Sequence, residues 1–183
     1  LTTTVKIILI ALAAASLLLI SGSADSATVI SNYSAVFGIN SAAFLYAAQT
    51  ALQNADLPNS FIKLALSQVL FETGNFNPTQ SNLASQYNNF SGIVFLNEPS
   101  VQLNAYKGPA QPGTSYYFAG FITVNDWAID YKRILGDYGI DFSETDVNTV
   151  AQELSDNGYY TSSESSYAAG MQHYFDMLTE AGL

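Results

Sequence analysis

From Ile7 to Ile20 thirteen of fourteen residues are apolar (IILIALAAASLLLI), with Lys6 before the run and Ser21-Gly22-Ser23-Ala24 after it. No polar stripe interrupts it, so it is not the pattern of a core helix with a water-facing side. Residues 1–24 read as an N-terminal hydrophobic helix that meets a membrane or a translocon. Fourteen helical residues reach about 21 Å against a hydrocarbon core of roughly 30 Å, short for a span unless the flanks extend the helix. Two readings stay open. One is a secretory signal cut after Ala24, where Gly22 and Ala24 supply small residues around the step. The other, carried forward here, is a retained anchor over residues 5–24, with Lys6 on the cytoplasmic side and the remainder outside.

Residues 25–39 (DSATVISNYSAVFGI) are Ser-rich without a clear period, which predicts a linker. Helical spacing starts after Asn40, an N-cap for SAAFLYAAQTALQNA, and stops before Pro58. Ser60 then caps FIKLALSQVLFET, apolar almost all round and closed by Gly74, as expected of a central, buried helix. LASQYN makes a short turn of helix. Between Ile93 and Phe121 the β-prone runs IVFL, VQLNAY and SYYFAGFI are broken by Glu98-Pro99, Gly108-Pro109 and Pro112-Gly113, which predicts a small β lobe. Helices resume behind Asn125, behind Ser143 with Asp146 three residues on, and behind Ser163. The pattern predicts an α+β domain, mostly α, over residues 40–183.

Composition narrows the function. Five Lys+Arg stand against fifteen Asp+Glu, a formal charge of −10, which excludes an electrostatic grip on nucleic acid. With no Cys and one His, thiol nucleophiles and Cys-based metal sites fall away, and no motif gives His173 a nucleophile to serve. His173 reads as a helix-surface or packing residue and Trp127 as core. Asp126 and Asp130, four apart, read as a solvated helix face rather than a cation site. No cofactor or metal is implied.

Glu72 is the position with chemistry in it. It ends the central helix directly after Val69-Leu70-Phe71 and shares a face with Phe61, Ala65 and Gln68. An apolar setting and the negative end of a helix dipole both disfavour the carboxylate and raise its pKa. A carboxylic acid kept protonated near neutral pH is what protonation of a glycosidic oxygen requires. The alternative on spacing alone is a side chain pointing to solvent where the helix ends.

The runs ALSQVLFETGNF, ASQYNNFSGI, YFAGFITVNDWAIDYKRIL and LSDNGYYTSSESSYAAGMQHYFDML together resemble the glucosaminidases of glycoside hydrolase family 73, in the lysozyme superfamily, across roughly residues 40–183. The resemblance implies a lysozyme-like helical domain with a small β lobe that cleaves the glycan strands of peptidoglycan. Glu72-Thr73 falls on the family's general acid. Asn88-Asn89-Phe90-Ser91-Gly92-Ile93 looks like its Asn-Asn-Leu-Phe-Gly-Ile turn, and Gly158-Tyr159-Tyr160-Thr161 looks like Gly-Tyr-Ala-Thr-Asp, which puts Tyr159 opposite the acid. Departures are Ser162 in place of the Asp, and a following Tyr, Tyr167, that comes two residues late. A second acid used by some members has Glu98 as its one candidate in the β lobe, and a turn residue before Pro99 is its other reading.

The resemblance thus implies Glu72, Tyr159 and Glu98 in catalysis, with Gln68, Asn88, Asn89, Phe90, Ser91, Gly92 and Tyr167 around the substrate. The two Asn amides fit either an Asx-type turn that fixes the loop or a grip on an N-acetyl group. Twelve Tyr and eleven Phe fit sugar stacking as well as core filling. Two products are open: hydrolysis assisted by the substrate's 2-acetamido group, or attack by the muramyl 6-hydroxyl, which makes a lytic transglycosylase. A different class also fits, a non-catalytic structural or binding protein of a cell envelope or a membrane-containing virion, with assembly partners to match. Without residues 1–24, four basic residues face fifteen acidic ones, so charge does not draw the domain to an anionic wall. An anchor outside the cytoplasm would do so, or secretion after signal cleavage.

Overall fold

The computed structural model describes residues 24–77, 82–160 and 162–183. The hydrophobic leader expected over residues 1–24 falls, but for Ala24, outside them. Among the described residues no helix is long and apolar enough to cross a membrane. The elements in chain order are α1 (Ala24–Phe37), α2 (Ile39–Asn54), α3 (Asn59–Thr73), α4 (Leu83–Tyr87), β1 (Ala105–Ala110), β2 (Tyr117–Phe121), α5 (Val124–Asp137), α6 (Val147–Asp156) and α7 (Glu164–Glu180). The fold is α+β and mostly α, with one two-stranded antiparallel sheet.

Residues 25–39 do not form the expected linker. Residues 25–37 lie in the helix α1, which packs on α2, and Ile39 already begins α2. Tyr33 and Phe37 are buried and Val29, Ile30 and Val36 half-buried, a stripe at helical spacing that the intervening serines obscure in the sequence. The Tyr33 hydroxyl donates to Gln49 Oε1 at 2.8 Å and the Tyr46 hydroxyl to Ser26 Oγ at 2.8 Å, which ties the two helices together.

α3 is the central element, with ten of its fifteen residues buried, and Gly74 ends it in the left-handed conformation at φ 57°. It packs against α7 most extensively of its neighbours. A Cβ at Gly170 would lie 2.2 Å from the Phe71 ring, so only glycine lets α7 come this close to the end of α3. That approach carries Tyr167 to Glu72.

Helix starts differ from expectation in two ways: α2 begins behind Gly38 rather than Asn40 and α3 behind Pro58 rather than Ser60, both without a side-chain cap bond, while two later helices take a better cap nearby. Thr123, not Asn125, caps α5, in a reciprocal capping box with Asp126, and Asp146 rather than Ser143 caps α6. Ser163 caps α7 as expected. In the β lobe the run at 101–106 is mostly turn, with Val101 and Gln102 N–H donating to the Glu98 carbonyl. The IVFL run contributes one bridge, Val94 to Phe118, beside the β1–β2 hairpin.

Candidate active site

The C-terminal end of α3, the loop 89–96, the end of α5 and the start of α7 enclose a cleft of about 1030 Å³. Glu72 lies in its wall with Phe71 and Thr73. The carboxylate reaches solvent through the cleft, while protein atoms on its other sides desolvate it and push its pKa up. A hydrogen bond donated by the Tyr167 hydroxyl to Oε1, at 2.6 Å, opposes that rise without cancelling it.

Behind this bond runs a buried chain with a fixed direction. The Tyr131 hydroxyl donates to Gln68 Oε1, and Gln68 Nε2 donates to the Tyr167 oxygen at 2.9 Å. Gln68 holds its amide this way round because its oxygen faces a donor and its nitrogen an acceptor. Tyr167 therefore accepts from Gln68 and has one proton left, which goes to Glu72 Oε1. Oε1 is an acceptor in either state of Glu72, so the acid's own proton sits on Oε2. Burial and the nearby carboxylate push the Tyr131 and Tyr167 hydroxyls well above the ordinary tyrosine range, so both remain donors. Tyr167 is held from both sides, stacked on Tyr160 at 3.7 Å between ring centroids and edge-on to Phe71 at 5.1 Å.

Tyr159 also lines the cleft, set edge-on to Tyr138 at 5.2 Å. Burial, and after it the Glu72 charge, raise its hydroxyl pKa. Although Tyr167 comes two residues later than the resemblance implies, both Tyr159 and Tyr167 line this cleft, with α7 beginning at Glu164 between them.

Three expected contacts with substrate, and the candidate second acid, lie elsewhere. Gln68 is 2% exposed and sits beneath the cleft, its amide consumed by the two tyrosines. Phe90 is core, packed on Trp127 at 4.9 Å, Phe76 at 5.5 Å and Phe44 at 6.0 Å. Asn88 Nδ2 donates to the Phe121 and Ile122 carbonyls at 2.9 and 3.2 Å, away from the cleft lining. Glu98 is exposed in its turn and does not line the cleft, so the turn reading holds for it.

Asn89, Ser91 and Gly92 do border the cleft. Asn89 is fully buried. Its Oδ1 accepts from Ile93 N–H at 2.9 Å and, more weakly, Ser91 N–H at 3.4 Å, while Nδ2 donates to the Ile93 and Ala119 carbonyls at 2.8 and 2.9 Å. The amide has nothing left for an acetyl group, which favours the loop-fixing reading. Ser91 Oγ accepts from Trp127 Nε1 at 3.0 Å, joining the loop to α5.

The carboxylate that shares the cleft with Glu72 is Asp137, at the end of α5. It pairs with Arg133, which also pairs with buried Asp130 at 2.7 Å. Asp130 is thus not on a solvated face beside Asp126: it is 2% exposed, and it accepts from Gln102 Nε2 at 2.9 Å, which in turn reaches the Val94 carbonyl at 2.8 Å. Gln102 thus fastens the β lobe to α5 through Asp130, which Arg133 pairs with along the helix. Sequence spacing held a trace of this pairing in the i, i+3, i+7 pattern Asp130, Arg133, Asp137. Among the described residues no group of His, Cys, Asp and Glu is arranged to hold a metal ion.

The family model described as Glucosaminidase: Mannosyl-glycoprotein endo-beta-N-acetylglucosaminidase matches residues 45–180. That span runs from within α2 to the end of α7 and takes in every cleft residue named above. No curated protein and no solved structure matches the chain.

Proposed function

The chain belongs to the glucosaminidase family and is a glycoside hydrolase of the peptidoglycan-cleaving kind, and from that premise we propose that Glu72 is its general acid. The single observation that carries this is the Glu72 carboxyl in the cleft wall, with its pKa raised and Oε1 committed to Tyr167. Oε2 delivers its proton to the glycosidic oxygen as the bond to the anomeric carbon breaks. The leaving sugar departs as an alcohol, and the 2-acetamido oxygen of the retained N-acetylglucosamine closes on the anomeric carbon. Glu72, now a carboxylate, takes a proton from the water that opens this ring. Tyr159 faces the reacting sugar, and Ser91 and Gly92 shape its seat. Asp137 is held by Arg133, which leaves the acetamido group as the internal nucleophile.

A digest of purified peptidoglycan tests this. New reducing N-acetylglucosamine ends are expected by mass analysis. Anhydro-muramyl ends would replace the acetamido route by the 6-hydroxyl route with the same acid, and an absence of new ends would sink the proposal.

Replacing Tyr167 by Phe keeps the ring stacked and removes one hydrogen bond to the carboxylate. That bond lowers the Glu72 pKa, so the variant's pKa rises further. Because the protonated acid is the active form, the alkaline limb of the pH–rate profile is expected to move to higher pH. A limb that stays in place or moves down would contradict the assignment.

Residues 5–24 serve in this reading as a tether to an envelope or virion membrane, on the support of the Ile7–Ile20 run and of an acidic domain that charge does not carry to a wall. Deleting residues 1–24 is then expected to slow action on intact envelopes by about tenfold or more, with soluble glycan fragments cleaved as before.

A further inference from the structure

Beyond the cleft, the β lobe presents an aromatic shelf. Tyr106 on β1 is opposite Gly120 on β2 in the register of the hairpin. Its ring lies in the space that a side chain at 120 would fill, 2.4 Å from where a Cβ would stand. The strand thus supports the ring from beneath, yet Tyr106 is 41% exposed. Tyr87 stands beside it, with ring centroids 6.5 Å apart and planes at 42°, and leans on Gly108, where a Cβ would be 3.4 Å from its Cδ1. Gly120 seats the Tyr106 ring, Gly108 chiefly admits the Phe118 carbonyl, 2.8 Å from where its Cβ would stand, and is touched by Tyr87, and neither ring belongs to the core.

The shelf continues the cleft along two elements. Phe118 lines the cleft and Gly120, two residues on, points to the same face of β2, about 7 Å along the strand. Leu83 lines the cleft, and Tyr87, four residues on, lies on the same face of α4. Lys107, by contrast, alternates to the other face, where its Nζ sits 3.5 Å from the centre of the Tyr117 ring. The shelf is uncharged, and among the described residues the one cation lining the cleft, Arg133, is occupied by Asp130 and Asp137. A chain with a formal charge of −10 does not hold a polymer through cationic contacts, which leaves neutral hydrogen-bonding groups and flat apolar faces to do so.

We infer that Tyr106 and Tyr87 form a distal subsite that stacks on the pyranose rings of a glycan strand whose cleaved bond lies at Glu72. The occupant is the same strand, continued past the cleft, so the inference rests on the reading of that cleft as a glycan-cleaving site. The C–H faces of the N-acetylhexosamine rings meet the tyrosine faces, and stacking holds long strands in place between successive cuts.

Affinity for solubilised glycan strands and for a single disaccharide-peptide unit, measured for wild type, Tyr106→Ala and Tyr106→Phe, tests the subsite apart from turnover. Tyr106→Ala is expected to bind long strands about three- to tenfold more weakly and the single unit unchanged, while Tyr106→Phe behaves as wild type, because the ring and not the hydroxyl does the stacking. Equal strand binding by Tyr106→Ala and wild type, or no strand binding by wild type, would overturn the subsite. Equal loss on the single unit would also overturn it, since the change would then have reached the cleft. Wild-type binding with the expected Tyr106→Ala loss but no cleavage would leave the subsite standing and remove the catalytic reading instead.

Discussion

Asn89→Ala is expected to destabilise the domain by about 3 kcal/mol, because it strips partners from several buried backbone groups at once. The Ile93 N–H and carbonyl and the Ala119 carbonyl all meet the Asn89 amide at 2.8 to 2.9 Å, inside a site with no exposure. Alanine leaves a void too small for a full set of replacement waters. In a chain of this size that loss lowers Tm by roughly 10 °C. Activity falls with it, since the loop carrying Ser91 and Gly92 is held to β2 by this side chain. Asn88→Ala supplies the comparison. Its two bonds lie nearer the surface, and the expected cost is about 1 kcal/mol. Thermal unfolding of the two variants beside wild type checks both, and an Asn89→Ala protein as stable as Asn88→Ala would show that the loop does not depend on the amide.

Where sequence order and physical signal coincide, the chain could be read without its structure. The central helix ends at Gly74 because a left-handed cap needs glycine there, and Ser163 caps α7 through its bond to Ser166 N–H. Glu72 stood out for the same reason, a charge at the end of an apolar helix. α1 did not, because the serines interspersed along it dilute the spacing of Val29, Tyr33 and Phe37. The resemblance places Gln68 around the substrate, and local spacing shows only that it shares a face with Glu72. Only the positions of Tyr131 and Tyr167, 63 and 99 residues away, decide that both its ends are taken. Glu98 is the one carboxylate between Glu72 and Asp126, so the sequence offers it as a second acid or as a turn residue before Pro99. Asp137 reaches the cleft from outside that window, at the end of α5. Local pattern reports faces and caps, and contacts between distant elements are what it leaves out.

Glu72→Gln carries the largest expected effect. The amide keeps the size of the side chain and an oxygen for Tyr167 to donate to, so the buried chain through Gln68 and Tyr131 stays intact. What is lost is the proton on Oε2, and removal of a general acid costs about 10²- to 10⁴-fold in rate. The same change is expected to help the fold. A carboxyl whose pKa is raised by folding contributes stability below its unfolded pKa and loses it as pH rises through the folded value. Above that window the ionised Glu72 is a burden that Gln does not carry, so Glu72→Gln is expected to melt higher than wild type at alkaline pH and not at acidic pH. Loss of activity with a gain in alkaline stability separates a missing acid from a damaged fold.

The most direct measurement is the number of new reducing ends released per protein molecule from purified peptidoglycan, wild type beside Glu72→Gln, with both shown to be folded. A ratio of about 10² or more in favour of wild type is the predicted result. A ratio near one, with wild type cleaving, would contradict Glu72 as the acid of this cleft.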